Sequence, residues 1–144
     1  MSQKKANGMI YAVIDTNVLV SALITHNPLS ATSKVVKFLL NGGFTPLYDR
    51  EVIAEYEEVL HRSKFKLLPG VANSLIEFII EYGIEASRAT LEEVMPDEDG
   101  RVFYEIALNA EDSFLVTGNL KHYPESPQVI TPADFIRKFF ADAD

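Results

Sequence analysis

One segment near the amino terminus constrains the fold more than any other: an almost unbroken apolar run, Met9 to Ile14, that stops at Asp15. A run of strand-forming residues without strict alternation is typical of a strand buried on both faces, as in a parallel sheet. A carboxylate at the end of such a strand is costly to desolvate unless N–H groups, a basic side chain or a metal ion compensate it. Open parallel α/β sheets bind ligands at the carboxyl ends of their strands. The sequence therefore predicts a binding crevice at Asp15.

Length, composition and charge exclude several classes of protein. The 144 residues suit one domain, and the absence of cysteine excludes disulfides and thiolate metal sites. No apolar stretch approaches the roughly 18 residues of a membrane span and no signal-peptide pattern is present, so we expect a cytoplasmic protein with no membrane partner. The net charge of −8 argues against a broad nucleic-acid-coating surface. It is compatible with a divalent-metal site built from carboxylates.

Hydrophobic periodicity predicts alternating strands and helices. A first strand over 9–15 is followed by a helix over 17–24 and by a second helix that runs from Ala31 to a left-handed cap at Asn41-Gly42-Gly43. Next come a strand over 44–48, a helix over 50–61, a chain break at Pro69-Gly70, a helix ended by Gly83 and a strand over 84–86. The last predicted elements are a helix over 99–110, strands over 113–117 and 128–130, and a helix opened by Thr131-Pro132-Ala133-Asp134. This order predicts an α/β fold, a single doubly wound parallel β-sheet flanked by helices in a Rossmann-like three-layer arrangement. We expect the domain to span 9–141, after a flexible tail over 1–8.

Three polar positions converge at the carboxyl edge of this sheet. Asp15 follows the first strand, and it either acts chemically or merely caps the next helix. Asp99, at a predicted helix start, would face inward, although either Asp99 or Asp97 can instead be only a helix cap. Asn119 follows a later strand and can ligate a metal or hold a water through its amide oxygen, but it supplies no charge. Asp112 precedes that strand, so we expect it at the opposite edge in a structural role.

Helix 50–61 and two short basic segments supply the remaining candidates. Glu55 and Glu57 both border the apolar face of the helix, and periodicity does not choose between them or exclude a solvated surface charge. The basic candidates are phosphate contacts or ordinary surface charges; they are Arg62, Lys64, Lys66, Lys121 and His122.

Several motifs, in order along the chain, resemble PIN-domain proteins, and more narrowly the bacterial and archaeal branch of toxin components of toxin–antitoxin systems. They are Ile14-Asp15-Thr16-Asn17-Val18-Leu19-Val20-Ser21-Ala22, Glu55 within Glu51-Val52-Ile53-Ala54-Glu55-Tyr56, Arg62-Ser63-Lys64-Phe65, Pro96-Asp97-Glu98-Asp99 with Val102-Phe103-Tyr104-Glu105-Ile106-Ala107, Leu115-Val116-Thr117-Gly118-Asn119-Leu120-Lys121-His122-Tyr123-Pro124, and Ile130-Thr131-Pro132-Ala133-Asp134-Phe135. The resemblance covers roughly residues 9–140.

The resemblance implies a ribonuclease that depends on Mg²⁺ or Mn²⁺ bound by clustered acids. It assigns the first acid to Asp15 and the second to Glu55. The family's third acid stands three residues before the phenylalanine, where this chain has Gly100, so Asp99 or Asp97 must substitute. The fourth acidic position is Asn119. We expect a single-strand-preferring endoribonuclease restrained by an antitoxin protein, with a homodimer as the common assembly of such relatives.

The roles that follow fall into three groups. The expected catalytic acids are Asp15, Glu55 and Asp99, and the expected metal ligands are Asp15, Asp99 and Asp97. Side chains expected to position water or substrate are Thr16, Asn17, Thr117 and Asn119, with phosphate contacts from Arg62, Lys64 and Lys121.

Three other functions compete with a ribonuclease. A degenerate PIN fold that binds RNA or protein without cutting is favoured by Gly100 and Asn119. A receiver-like phosphotransfer domain also places an aspartate at a strand end, but Asp15 lacks the neighbouring acids of such sites. A purely structural interaction module leaves Asp15 unexplained.

Overall fold

The computed structural model describes residues 9–141, so the tail predicted over 1–8 lies outside the described residues. The strands are β1 (Tyr11–Ile14), β2 (Thr45–Tyr48), β3 (Ile84–Glu85), β4 (Ser113–Val116) and β5 (Val129–Ile130). The helices are α1 (Thr16–Ile24), α2 (Ala31–Leu40), α3 (Arg50–Leu60), α4 (Pro69–Tyr82), α5 (Arg101–Leu108) and α6 (Pro132–Phe140). Short 3₁₀ turns cover Ser63–Phe65, Glu98–Gly100 and Leu120–His122.

The five strands form one parallel sheet in the order β3-β2-β1-β4-β5. This arrangement confirms the predicted fold class. The chain runs outward from β1 to β3 on one side and then crosses over to β4 and β5 on the other, which makes the junction of β1 and β4 the topological switch point. Because Ile14 pairs with Val116, Asp15 and Thr117 leave the sheet side by side at its carboxyl edge.

The core explains why the central strands read as apolar on both faces. Ala12, Val13, Leu115 and Val116 are completely buried. Helix α5 packs on β1 and β4, α4 packs on β2 and α3, and α1, α2 and α6 contact one another in sequence. None of the helices in the described part of the chain is long and apolar enough to cross a membrane.

Two predicted boundaries are wrong, each for a local reason. Pro69 does not break the chain but opens α4, because proline suits a first helical position, where its missing N–H is not needed. The helix predicted over 99–110 is split, since the Asp97 carboxylate accepts from the Asp99 N–H at 3.0 Å and ties the entry into a 3₁₀ turn. The left-handed cap after α2 is confirmed at Gly42, whose φ is +78°.

Candidate active site

A pocket of about 300 Å³ opens at the carboxyl edge of the sheet, where β1 and β4 end. Its polar lining is Asp15, Thr16, Asn17, Glu55, Arg62, Asp97, Asp99, Asn119, His122 and Tyr123. Asp112, which directly precedes β4, is exposed and lines a different pocket together with Tyr11, at the other end of the strands. The tertiary structure thus gathers the acids that the sequence placed at one edge.

Asp15 is held by hydroxyl groups rather than used as a helix cap. Its side chain makes no capping hydrogen bond to α1. Instead, the Asp15 Oδ2 atom accepts from Thr117 Oγ1 at 2.7 Å and from the Tyr123 hydroxyl at 2.9 Å. Burial and the negative charge of Asp15 raise the pKa of Tyr123, so the phenol remains a proton donor. Within residues 9–141, Oδ1 accepts no hydrogen bond, and Asp15 lines the pocket.

A buried set of hydrogen bonds stands behind this carboxylate. Thr117 is fully buried, and its oxygen accepts from the Asn119 backbone N–H at 3.0 Å while its hydroxyl donates to Asp15. The fully buried Tyr56 donates to the carbonyl of Ile14 at 2.5 Å. Hydrogen bonds arranged in series strengthen one another, and satisfied buried networks rigidify their surroundings. Thr117 therefore orients the Asp15 carboxylate through a buried hydrogen bond and does not face solvent.

The structure separates the two glutamates that periodicity left equivalent. Glu55 is half-buried and lines the pocket, whereas Glu57 is exposed. Thr16 Oγ1 donates to Glu55 Oε2 at 2.5 Å. Burial raises the pKa of Glu55, the Thr16 hydrogen bond lowers it, and repulsion from Asp15 and Asp99 raises it again, with a net rise above 4.5. The surroundings of Glu55 therefore disfavour its charged form.

Glu55→Gln is expected to stabilise the metal-free protein at neutral pH. A carboxyl whose folded pKa exceeds its unfolded value favours the folded state at low pH, and this contribution is lost as the pH rises through the folded pKa. In wild type we expect thermal unfolding in chelator to occur at lower temperature as the pH rises above about 4.5. The Gln variant should lack this part of the pH dependence, and an unchanged profile would contradict the assignment.

The acidic turn, which comprises Asp97 and the 3₁₀ turn Glu98–Gly100, brings two further carboxylates to the pocket. Asp97 caps the 3₁₀ turn, and its Oδ2 atom lies 3.6 Å from His122 Nδ1. Asp99 lines the pocket, and its charge is felt by Glu55. Glu98 turns away and pairs with Arg101 at 2.7 Å. Both open candidates for the third acid therefore lie at the site.

The predicted phosphate contacts separate in space. Arg62 lines the pocket, although its guanidinium donates to both carboxylate oxygens of the exposed Glu58 at 2.8 and 2.9 Å. Lys64 is absent from the pocket lining and lies 5.1 Å over the ring of Phe65. Lys121 lines a neighbouring pocket with Pro124. Arg62 is therefore the one of the three that reaches the site within residues 9–141.

Tyr123 is the site residue for which the sequence analysis assigned no role. It lies in the family-like motif that runs from Leu115 to Pro124, but no feature of the neighbouring sequence indicates that a tyrosine there reaches the end of β1. Its contact with Asp15 joins residues 108 positions apart. The sequence feature that could have indicated this role is the hydroxyl-bearing aromatic residue directly after Lys121-His122.

The donor set suits a hard divalent cation held by few protein atoms. Every candidate donor is an oxygen, which Mg²⁺ and Mn²⁺ prefer. Asn17 Oδ1 is buried and has no hydrogen-bond partner among residues 9–141, a costly state unless a cation or a water completes it. No three acidic or histidine side chains in the described part of the chain lie close enough to hold an ion together. Mg²⁺ tolerates this, since it usually binds one or two carboxylates and keeps several waters.

Comparison with known protein families identifies the domain. The sequence profile of a PIN domain matches residues 11–121. That span runs from β1 into the 3₁₀ turn after β4, so it includes all four acids of the pocket. No curated protein and no solved structure matches the chain.

Proposed function

Because this chain belongs to the PIN domain family, we propose that it is a metal-dependent endoribonuclease, acting in the cytoplasm as the toxin of a toxin–antitoxin pair. PIN domains are generally nucleases that use divalent metals and act on nucleic acids. For this chain we propose single-stranded RNA as the substrate and Mg²⁺ or Mn²⁺ as the ion.

One observation carries the proposal. Asp15, Glu55 and Asp99 line one pocket together with Asn17, whose buried amide oxygen has no hydrogen-bond partner in the described part of the chain. Burial raises the pKa of Glu55, and repulsion from the Asp15 and Asp99 carboxylates adds to this rise. Structures tolerate such repulsion mainly where function needs it. A purely structural role gives no reason to gather these groups.

Asp15 Oδ1, Asn17 Oδ1 and one of Asp97 or Asp99 would hold the ion. A bound divalent ion would neutralise phosphate charge and lower the pKa of a coordinated water. Thr117 and Tyr123 keep the Asp15 carboxylate in one orientation, so its free oxygen needs no reorganisation.

Glu55 is our candidate general base. Thr16 anchors its Oε2 atom, which leaves Oε1 to accept a proton from the attacking water. A raised pKa makes the Glu55 carboxylate a stronger base than an exposed glutamate. The water oxygen bonds to phosphorus as the bond from phosphorus to the leaving oxygen breaks, and the leaving oxygen takes a proton from solvent. Arg62, which lines the pocket, can donate to the phosphate oxygens.

Calorimetric titration of the partner-free chain with Mn²⁺, followed by an RNA cleavage assay with and without EDTA, tests the proposal. We expect micromolar to millimolar binding and cleavage that EDTA stops. Single-stranded RNA, duplex RNA and single-stranded DNA of one sequence should be compared, with single-stranded RNA cut fastest. Absence of Mn²⁺ binding in the wild type would contradict a metal-dependent nuclease.

A second candidate function, a PIN domain that binds RNA or protein without cutting, has an observation in its favour. Position 100 is a glycine, and a side chain there would meet the ring of Tyr123. The acids that remain within residues 9–141 are too far apart for three of them to hold one ion. RNA binding measured by fluorescence anisotropy, together with absence of Mn²⁺ binding, would favour this function over the first.

We also propose an antitoxin partner and a homodimer, because relatives in the toxin branch of the family form such complexes. Light scattering after size exclusion tests the homodimer, since one chain has a mass of 16.1 kDa. Inhibition of RNA cleavage by a purified candidate antitoxin tests the partner.

A further inference from the structure

Gly100 is a glycine for a reason that lies outside its own backbone. Its φ of −89° and ψ of −3° are open to other residues. A Cβ atom there would nevertheless lie 2.6 Å from Cε1 of Tyr123 and 2.9 Å from both its Cζ and its hydroxyl oxygen. These separations are far below van der Waals contact. The aromatic ring, and not the chain conformation, therefore excludes a side chain at position 100.

The ring cannot move away freely. Tyr123 is only 5% exposed, and its hydroxyl donates to Asp15 Oδ2 at 2.9 Å. A displacement large enough to relieve the contact at position 100 would stretch or break this hydrogen bond. Gly100, Tyr123 and Asp15 are thus mechanically connected, although Gly100 does not hydrogen-bond to the carboxylate.

We propose that Tyr123 is a positioning residue for Asp15 and that Gly100 is small in order to admit its ring. Two hydroxyl groups, from Tyr123 and Thr117, occupy Oδ2. Asp15 therefore presents a single oxygen, Oδ1, to the pocket. The consequence for metal binding rests on the proposed function: Asp15 gives one oxygen, not two, to a divalent ion.

The link itself is tested without metal. Thermal unfolding in chelator is measured for wild type, Tyr123→Phe, Asp15→Asn and the double variant. A hydrogen bond to a charged acceptor is roughly twice as strong as one to a neutral acceptor. Loss of the hydroxyl should therefore lower Tm at least about twice as much beside Asp15 as beside the asparagine variant. Equal shifts in the two backgrounds would overturn the positioning role.

The effect on the site is tested by calorimetry with Mn²⁺. Removing a group that orients a ligand typically weakens metal binding about 10- to 100-fold, so we expect Tyr123→Phe to bind about 10-fold more weakly. Gly100→Ala should weaken binding similarly, because it displaces the same hydroxyl. The double variant should be no more than about twofold weaker than either single variant, because one interaction can be lost only once.

Gly70→Ala is the matched control, since a Cβ there meets no atom of residues 9–141 within 4 Å. It should leave Mn²⁺ binding unchanged. If Gly100→Ala changes binding no more than this control, or if the effects multiply in the double variant, the proposal is wrong. If wild type binds no Mn²⁺ at all, the proposed function fails, and the unfolding experiment in chelator still decides the positioning role.

Discussion

Replacing Asp15 by asparagine is expected to abolish metal-dependent RNA cleavage while leaving the fold intact. Asparagine has the same shape and keeps an oxygen that can accept from Thr117 and Tyr123. It removes the charge of the acid that is buried at the centre of the pocket, with 8% exposure. Changes to groups that only orient metal ligands cost about 10- to 100-fold. Loss of a direct ligand should exceed this, so we expect a fall of more than about 100-fold in kcat/KM and no measurable Mn²⁺ binding.

Asp112→Asn is the control for this experiment. It removes the same charge from an exposed position at the opposite end of β4. We expect unchanged cleavage and unchanged Mn²⁺ affinity. Cleavage that survives in the Asp15 variant would remove Asp15 from the mechanism, whereas equal losses in both variants would point to net charge rather than to the site.

Among the substitutions considered for this protein, replacing Glu105 by alanine is expected to lower the free energy of unfolding most. Glu105 is a buried acid of α5, with 6% exposure. Its carboxylate accepts from Arg88 at 2.8 Å, from the Leu91 N–H at 3.2 Å and from Arg101 at 3.5 Å. Arg101 also donates to the backbone carbonyls of Leu91 and Glu93, at 2.9 and 2.8 Å. This network fixes the segment that leads into the acidic turn.

Breaking a buried ion pair costs about 3–5 kcal/mol. We expect about 2–3 kcal/mol here, because Arg88 and Arg101 are 30% and 23% exposed and can be rehydrated. This corresponds to a fall in Tm of about 8–12 °C for a domain of this size. Glu58→Ala, which removes the exposed partner of Arg62, should lower Tm far less, because exposed ion pairs add little to stability. Similar losses in the two variants would contradict the role of the Glu105 network.

The pH dependence of this contribution opposes that of Glu55. Burial raises the pKa of Glu105, but hydrogen bonds from Arg88 and Leu91 outweigh burial and hold it below 4.5. Its stabilisation is therefore present above about pH 4.5 and is lost as the pH falls through the folded pKa. Unfolding of the Glu105→Ala variant should accordingly depend less on pH on the acid side.

Local sequence patterns were enough to predict most strands and helices of this protein. Continuous apolar runs in β1 and β4 predicted strands buried on both faces, and their alternation with amphipathic segments predicted a parallel sheet. The last helix carries its own start signal, in which Thr131 accepts from the Asp134 N–H at 3.1 Å. Because parallel strands end at one edge, the sequence also placed Asp15 and the segment from Thr117 to Asn119 together.

Tertiary structure decided what depends on contacts between distant residues. Glu55 and Glu57 lie equally close to the apolar face of α3, and only its packing beside α1 brings Glu55 to Thr16. The pairing of β1 with β4 delivers Tyr123 to Asp15 across 108 positions. The same ring explains Gly100, which from the sequence is only a missing acid. Periodicity records which face of an element is buried, whereas the partner that meets a given side chain depends on how the whole chain packs.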